Sequence, residues 1–500
     1  MRRTFPQRFA LTALIFLVCV LSTLASTSSI TAAGSRAAQT QATDDPPPPL
    51  LDTPMGAVES FYRPQDAADA GVGFERIIFE WRYFQPNSED DWQTWSVPDS
   101  WLSTARRDGR MVVGLLKNAP NWATGSTLLG AVPLGLDYSI DDKRNLWANF
   151  VKKIVTYYGP KWNIHHWIIY NEPDIRPQNT TDFEFAGSVD DYYKLVKVAY
   201  KTAHANDPQA VIHLAGFTYW QDVVHNRSLY LERFVRTATN DPEGRKNGLF
   251  FDVLSVHVFE TTDNVWYITQ LFKQLLGEAG VTKPIWVDEM NALPTVDSGW
   301  PLQNYGIPVS LDQQAAFIIQ GSALAMAAGA DHVEVYRLYD NEVHDGYEAW
   351  GLVRNDGTHR PGFFALKTAS TYFRDSTSVQ RFKTAFATMV VFAQNGRTVY
   401  VAWNRTRHTP MTLHVRASDP ASTDAKFVSM IGDEQTIAPG EVKEASYSAD
   451  LPPCEQSCDV QGDPVILVQP GEPQPGWVVD SSGQVAILSN QPDTTATMEP

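Results

Sequence analysis

Two carboxylic acids sit where apolar strands run out. Asn171-Glu172-Pro173 follows the apolar run Trp167-Ile168-Ile169-Tyr170, and Asp288-Glu289-Met290-Asn291 follows Pro284-Ile285-Trp286-Val287. A carboxyl carried on a buried strand is held on rigid backbone at the rim of a sheet, where it can meet a ligand. A pair of them suits the cleavage of a glycosidic bond. One, kept protonated, gives its proton to the leaving oxygen; the other, kept ionised, meets the oxocarbenium-like centre. A separation of about 5 to 5.5 Å gives retention and one of roughly 6.5 to 9.5 Å inversion, so the stereochemistry stays open in the sequence. The plainer alternative makes Glu172 a loop cap and Glu289 a salt-bridge partner, and the matching strand-end positions weigh against it.

Elements that could position such a pair are legible on either side. From residue 55 to about 375, short β-type runs alternate with longer amphipathic ones, the pattern of βα units around a parallel sheet. Eight strands are expected, near 56–61, 76–81, 111–116, 166–171, 211–216, 251–258, 284–289 and 332–338. Leu146, Trp147, Phe150, Val151, Ile154, Val155 and Tyr158 recur at helical spacing, as do Val265, Ile268, Leu271, Phe272 and Leu275. Ser310-Leu311-Asp312-Gln313 has the order of a capping box. The fold class expected is therefore α/β, a (β/α)8 TIM barrel, with Glu172 closing the fourth strand and Glu289 the seventh on one rim. An open doubly wound sheet is the alternative, but no Gly-rich phosphate loop follows the first strand. Beyond residue 375 the pattern changes to alternating β runs, with Gln394-Asn395-Gly396 as a hairpin turn, predicting a smaller all-β domain over 376–469.

This arrangement resembles the clan A glycoside hydrolases, in which an Asn-Glu-Pro ends the fourth strand and a Glu ends the seventh. Within the clan the chain is most similar to family 39 and its exopolysaccharide-cleaving relatives, with family 5 close behind. The resemblance covers roughly residues 56–374. It implies a retaining, double-displacement mechanism with Glu172 as acid/base and Glu289 as nucleophile, and Asn171 as a contact to the sugar 2-hydroxyl. Gly73-Phe74-Glu75-Arg76 resembles the second strand, making Arg76 the cation that keeps the nucleophile ionised. His257, in Ser255-Val256-His257-Val258-Phe259, matches a sixth-strand histidine near the nucleophile, although the clan commonly has Tyr where this chain has Phe259. Trp122 and Trp350 resemble aromatics on which a sugar stacks. Packing accounts for these two equally well, and for Arg76 and His257 an ion pair and a core hydrogen bond are the plain alternatives.

Composition bounds the rest. The 500 residues are 43% hydrophobic and 12% aromatic, the balance of a folded chain. Arg2, Arg3 and Arg8 lead into an apolar stretch from Phe9 to Leu24, expected to be a secretory signal within residues 1–33 rather than a membrane anchor. Loss of those three arginines takes the formal charge from -17 to -20, a field that repels polyanions and argues against nucleic acid as the partner. Residues 34–54 read as a Pro-rich linker and 470–500 as a flexible tail. Cys454 and Cys458, in an exported chain, point to a disulfide rather than a metal pair. No metal or organic cofactor is expected, because no His/Cys/Asp cluster has ligand spacing and no nucleotide loop is present. The expectation is thus a secreted enzyme acting on an oligo- or polysaccharide, with no membrane span once the signal is cleaved.

Overall fold

The computed structural model describes residues 49–176, 183–302, 307–341, 343, 347–422, 424–441, 445–454 and 458–488. The expected signal and most of the expected linker lie outside the described residues. Eight parallel strands run β1 (Met55–Ala57), β2 (Phe74–Glu80), β3 (Met111–Lys117), β4 (His166–Ile169), β5 (Val211–Leu214), β6 (Leu254–Phe259), β7 (Ile285–Asn291) and β8 (His332–Val335). Each pairs with its neighbour in chain order except β5 with β6, and β1 pairs with β8. The seam between β5 and β6 is closed by a bridge from His213 to Val253 and by the Leu214 N–H donating to the Val253 carbonyl at 3.0 Å. The sheet is therefore a closed barrel, not the open doubly wound alternative.

Around it lie α1 (Pro64–Asp69), α2 (Asp99–Arg107), α3 (Leu146–Trp162), α4 (Val189–Asn206), α5 (Tyr230–Asn240), α6 (Thr262–Glu278), α7 (Leu311–Ala328) and α8 (Pro361–Tyr372). The stripe read on α3 is buried at Trp147, Phe150, Val151, Ile154, Val155 and Tyr158 and half-buried at Leu146. The capping box at Ser310 forms as expected, with the Gln313 N–H donating to Ser310 Oγ and the Ser310 N–H to Gln313 Oε1. Helix α7 is buried on nearly every face. A helix apolar all round must be covered all round, and α6, α8 and the second domain supply the cover.

That second domain is a β-sandwich. A six-stranded antiparallel sheet contains β9 (Ser376–Lys383), β10 (Ala387–Gln394), β11 (Arg397–Asn404), β13 (Ala425–Val428), β14 (Glu434–Ile437) and β17 (Val465–Pro470). A five-stranded sheet contains β12 (Met411–Arg416), β15 (Gly440–Glu441), β16 (Ala445–Leu451), β18 (Gly476–Asp480) and β19 (Val485–Ile487). Alternation along β10 shows how the sandwich is tied to the barrel. Ala387, Met389 and Val391 point into the sandwich core, whereas Val390 and Phe392 join the core that includes the barrel helices. Polar ties reinforce this face: Gln320 on α7 donates to the Gly462 carbonyl at 2.7 Å, and Arg405 pairs with Asp263 on α6 at 2.7 Å.

Several expectations change. The first strand is only three residues long, because Glu59 adopts a left-handed φ of 61° and the chain turns into a 3-10 segment at Ser60–Tyr62. The expected flexible tail from 470 instead supplies β18 and β19, whose Val478 closes the sandwich core. As far as residue 488 its Pro, Gly and Ser residues mark turns, and the rest of the expected tail lies outside the described residues. Cys454 and Cys458 form a disulfide, their Cα atoms 5.3 Å apart. No described helix is long and apolar enough to cross a membrane.

Candidate active site

Inside the barrel, side chains stand in layers. Toward the amino ends of the strands lie Phe74, Val113, Leu115, Ile168, Val253 and Trp286. Toward the carboxyl ends the filling becomes charged: Arg76 from β2, His257 from β6, Asp288 and Glu289 from β7 and Glu334 from β8 are all buried. Glu172, just past β4, completes the cluster.

The geometry brings four of the expected residues together. The Arg76 Nη2 donates to Glu289 Oε1. His257 Nδ1 lies 2.8 Å from Glu172 Oε1 and 3.5 Å from Glu289 Oε2. A carboxylate oxygen of Glu172 and one of Glu289 come within 4.8 Å of each other. The backbone that presents Glu172 is no longer a strand. Tyr170 and Glu172 both have positive φ, 62° and 38°, so β4 stops at Ile169 and Asn171 stands between two left-handed residues. Such strain in non-glycine residues concentrates at functional sites. The Asn171 Oδ1 is buried with no hydrogen-bond partner.

Position and charge separate the two acids. Burial pushes the Glu172 carboxyl up, His257 pulls it partly back, and the Glu289 charge adds to the rise. Burial acts on Glu289 in the same direction, but the Arg76 guanidinium and His257 outweigh it and hold Glu289 below the usual carboxylate value. Two carboxyls pushed apart in this way are an acid and a base. His257 itself is held well above an ordinary imidazole, because Glu289 and Asp288 overcome its burial.

Asp288 and Glu289 are neighbours in a strand, so alternation predicts that they face opposite sides. They do not. Pairing with β6 passes from Val256 opposite Val287 to His257 opposite Glu289, and pairing with β8 passes from Val287 to Met290. Asp288 is the extra residue of a β-bulge, a feature that re-aims side chains beside active sites. Both acids thus reach the barrel interior.

The aromatics divide. Trp350 stands near Phe259 (ring centroids 5.1 Å) and Tyr336 (6.1 Å), and burial, with the Glu289 charge adding, raises the Tyr336 phenol, which places this trio near that acid. Asn291, at the end of β7, fastens it by donating to the Tyr336 and Trp350 carbonyls at 2.6 and 2.9 Å. Trp122 packs edge-on to buried Trp81 and donates to the Gln85 carbonyl at 2.7 Å, contacts that tie the loops after β2 and β3 to the core. Sequence reasoning passed over Asp288, Glu334, Tyr336 and Lys117. Lys117 had the same signal as Glu172, a charged residue closing an apolar strand. It pairs with Glu184 at 2.5 Å, and its charge helps lower Glu289.

Glu172, His257 and Glu289 form the one cluster among the described residues compact enough to meet a metal ion. Arg76 donates to Glu289 at its edge, and His257 lies between the two acids. A groove of about 720 Å³ lies elsewhere, between residues 136–140, α4 and α5. Its Lys194, Lys197 and Lys201 are all paired with acids.

No protein-family model matches the chain, and no curated protein matches it in sequence. Solved structures do match in three dimensions. A family 39 glycoside hydrolase from Bacteroides cellulosilyticus superposes with a TM-score of 0.61 at 16% identity, over 84% of this chain and 81% of that one. A family 30 endoxylanase from Clostridium papyrosolvens gives 0.53 at 12% identity, over 85% and 97%. A monomeric β-xylosidase from Caulobacter crescentus also gives 0.53 at 12%, over 85% and 97%. The shared portion is larger than the barrel alone, so the chain has the fold of these hydrolases with its β domain included.

Proposed function

We propose that the protein is an exported retaining glycoside hydrolase that cleaves a β-xyloside-like oligosaccharide, or an exopolysaccharide or glucan, by double displacement. The observation that carries this reading is the approach of the Glu172 and Glu289 carboxylates to within 4.8 Å. So close an approach of one oxygen from each acid supports a nucleophile and an acid/base, whose carboxyls stand about 5 to 5.5 Å apart, over the wider spacing of an inverting pair. Glu172 protonates the leaving oxygen as Glu289 attacks the anomeric carbon, so that one C–O bond breaks and a glycosyl ester forms. Water then attacks the same carbon, gives its proton to Glu172, and releases the Glu289 carboxylate. Asn171, with its unpartnered oxygen, contacts the 2-hydroxyl. Trp350 offers a sugar-facing ring in better keeping with its surroundings than Trp122. Export is supported by the Arg-led apolar amino terminus and the disulfide.

Aryl β-xylosides and β-glucosides test the assignment, followed by xylan, glucan, mannan and bacterial exopolysaccharides. Glu172→Gln and Glu289→Gly should each lower kcat/KM by about a thousandfold or more with the fold intact. Azide should restore turnover of Glu289→Gly and give a glycosyl azide of inverted configuration. Full activity in either variant overturns the mechanism. A barrel that binds glycans without cleaving them would show no turnover in the wild type, and a transglycosylase would give products longer than its substrate.

A further inference from the structure

The double displacement asks Glu172 to change character midway, from proton donor to proton acceptor. When Glu289 becomes an ester it loses its charge, and with it goes part of what holds His257 positive. The structure contains a second anion for that purpose. Asp288, on the β7 bulge, is 1% exposed and places Oδ1 3.5 Å from His257 Nε2 and Oδ2 4.0 Å from Arg76 Nη1. Neither oxygen makes a hydrogen bond. Its contacts are purely ionic, and they go to the two cations that touch the acid pair. The sequence spends a backbone irregularity to put this carboxylate there, since a regular strand would turn it away from the barrel.

We propose, resting on the double-displacement reading, that Asp288 is a positioning residue that keeps His257 an imidazolium while Glu289 is esterified, so that His257 holds Glu172 as the base that deprotonates water. His257 is faced by Glu172 from the loop after β4 and by Asp288 and Glu289 from β7. Arg76 and Glu334 stand behind those acids on β2 and β8, and the Lys117–Glu184 pair acts on them from farther away. From β5 comes no charge at all: a Cβ at Gly216 would lie 2.0 Å from His257 Nε2, so that glycine lets the ring pack against the chain. Once Glu289 on the Nδ1 side is an ester, Asp288 at Nε2 is the carboxylate left beside the ring in addition to Glu172 itself. In the free enzyme Glu289 is still ionised and stays beside His257 Nδ1 when the Asp288 charge is lost. Loss of the Asp288 charge must therefore act on the second chemical step far more than on the first.

The test is Asp288→Asn, assayed on 2,4-dinitrophenyl β-xyloside and β-glucoside, whose good leaving group makes breakdown of the glycosyl-enzyme rate-limiting. We expect kcat to fall roughly tenfold or more while kcat/KM stays within about threefold, and the acid limb of kcat to move up by about one pH unit. Intact-protein mass spectrometry should find the glycosyl ester accumulating on the variant. Equal falls in kcat and kcat/KM, or an acid limb that does not move, overturn the proposal while leaving the hydrolase reading in place. A wild type that turns over no glycoside, or forms no ester at Glu289, overturns both. Should the variant not fold, the wild type decides: trapped with a 2-deoxy-2-fluoro glycoside and labelled with 15N-histidine, it should show His257 with both ring nitrogens protonated at neutral pH. A neutral ring there rules the proposal out.

Discussion

The two ends of the barrel interior hold buried histidines in opposite charge states. At the amino end, His166, His213 and His332 surround Trp286, with ring centroids 5.4, 4.8 and 3.9 Å from it. Burial is the main cause that drives His166 and His332 down to about 4 and His213 well below its ordinary value, and neighbouring imidazoles push the same way. At the carboxyl end His257 is buried as fully as His213 but is held positive by Glu289 and Asp288. Burial alone therefore does not decide a histidine's charge. The partners do: the lower layer offers rings and another imidazole, with His166 Nδ1 only 3.0 Å from His213 Nε2, whereas the upper layer offers carboxylates. The lower end is a neutral plug, and the upper end is an ionised network that can move protons.

The largest test of this contrast removes one histidine from each end. His257→Gln takes away the cation between the two acids and should lower kcat by about a hundredfold on aryl glycosides, with little change in melting temperature. His213→Gln should do the reverse, leaving kcat within about threefold while lowering the melting temperature, because it disturbs the packing around Trp286. Equal kinetic losses in the two variants would break the comparison.

Much of this was legible in the sequence, and the part that was not has a definite cause. Alternating apolar runs placed all eight strands and the β domain, because burial of a parallel sheet on both faces leaves an unmistakable record. Glu172 and Glu289 could be named because each closes such a run, and Arg76 and His257 because the residues around them resemble strands of the clan A hydrolases. Asp288 could not, since the argument used strand alternation and the bulge cancels it at that residue. Strands β18 and β19 were hidden by turn-forming residues around them, and Trp122 and Trp350 could be separated only by contacts made across distant loops.

A smaller effect comes from replacing His332, which stacks on Trp286 and meets Phe74 edge-on at 5.2 Å, by a ring that cannot ionise. Its pKa of about 4 in the fold lies below the ordinary 6.5, so the unfolded chain binds a proton there first as pH falls. The stability it contributes is complete above pH 6.5 and is lost as pH drops toward 4. Glu172 and Glu334, whose values are raised, act in the opposite sense, so the difference between wild type and His332→Phe isolates the histidine. Near pH 7 the two should unfold at similar denaturant concentrations. Between roughly pH 6 and 4 the variant should gain about 1.4 kcal/mol relative to wild type per pH unit. Parallel curves across that range would mean that the lower histidines are not neutral.

The smallest expected effect belongs to Glu334, which sits in the upper layer but behaves like the lower one. Burial, with Asp288 and Glu289 adding, raises its carboxyl well above the ordinary value in spite of Arg76, which favours the protonated acid, and it accepts the Arg76 backbone N–H at 3.1 Å. An amide keeps that acceptor and that shape. Glu334→Gln should therefore leave kcat and its pH profile within about twofold of wild type, the opposite of Asp288→Asn on the neighbouring strand beside the same guanidinium. If Glu334→Gln instead moves the Glu289 limb of kcat/KM, Glu334 carries charge, Arg76 is shared among three anions, and the boundary between the neutral and ionised layers lies one residue lower than drawn here.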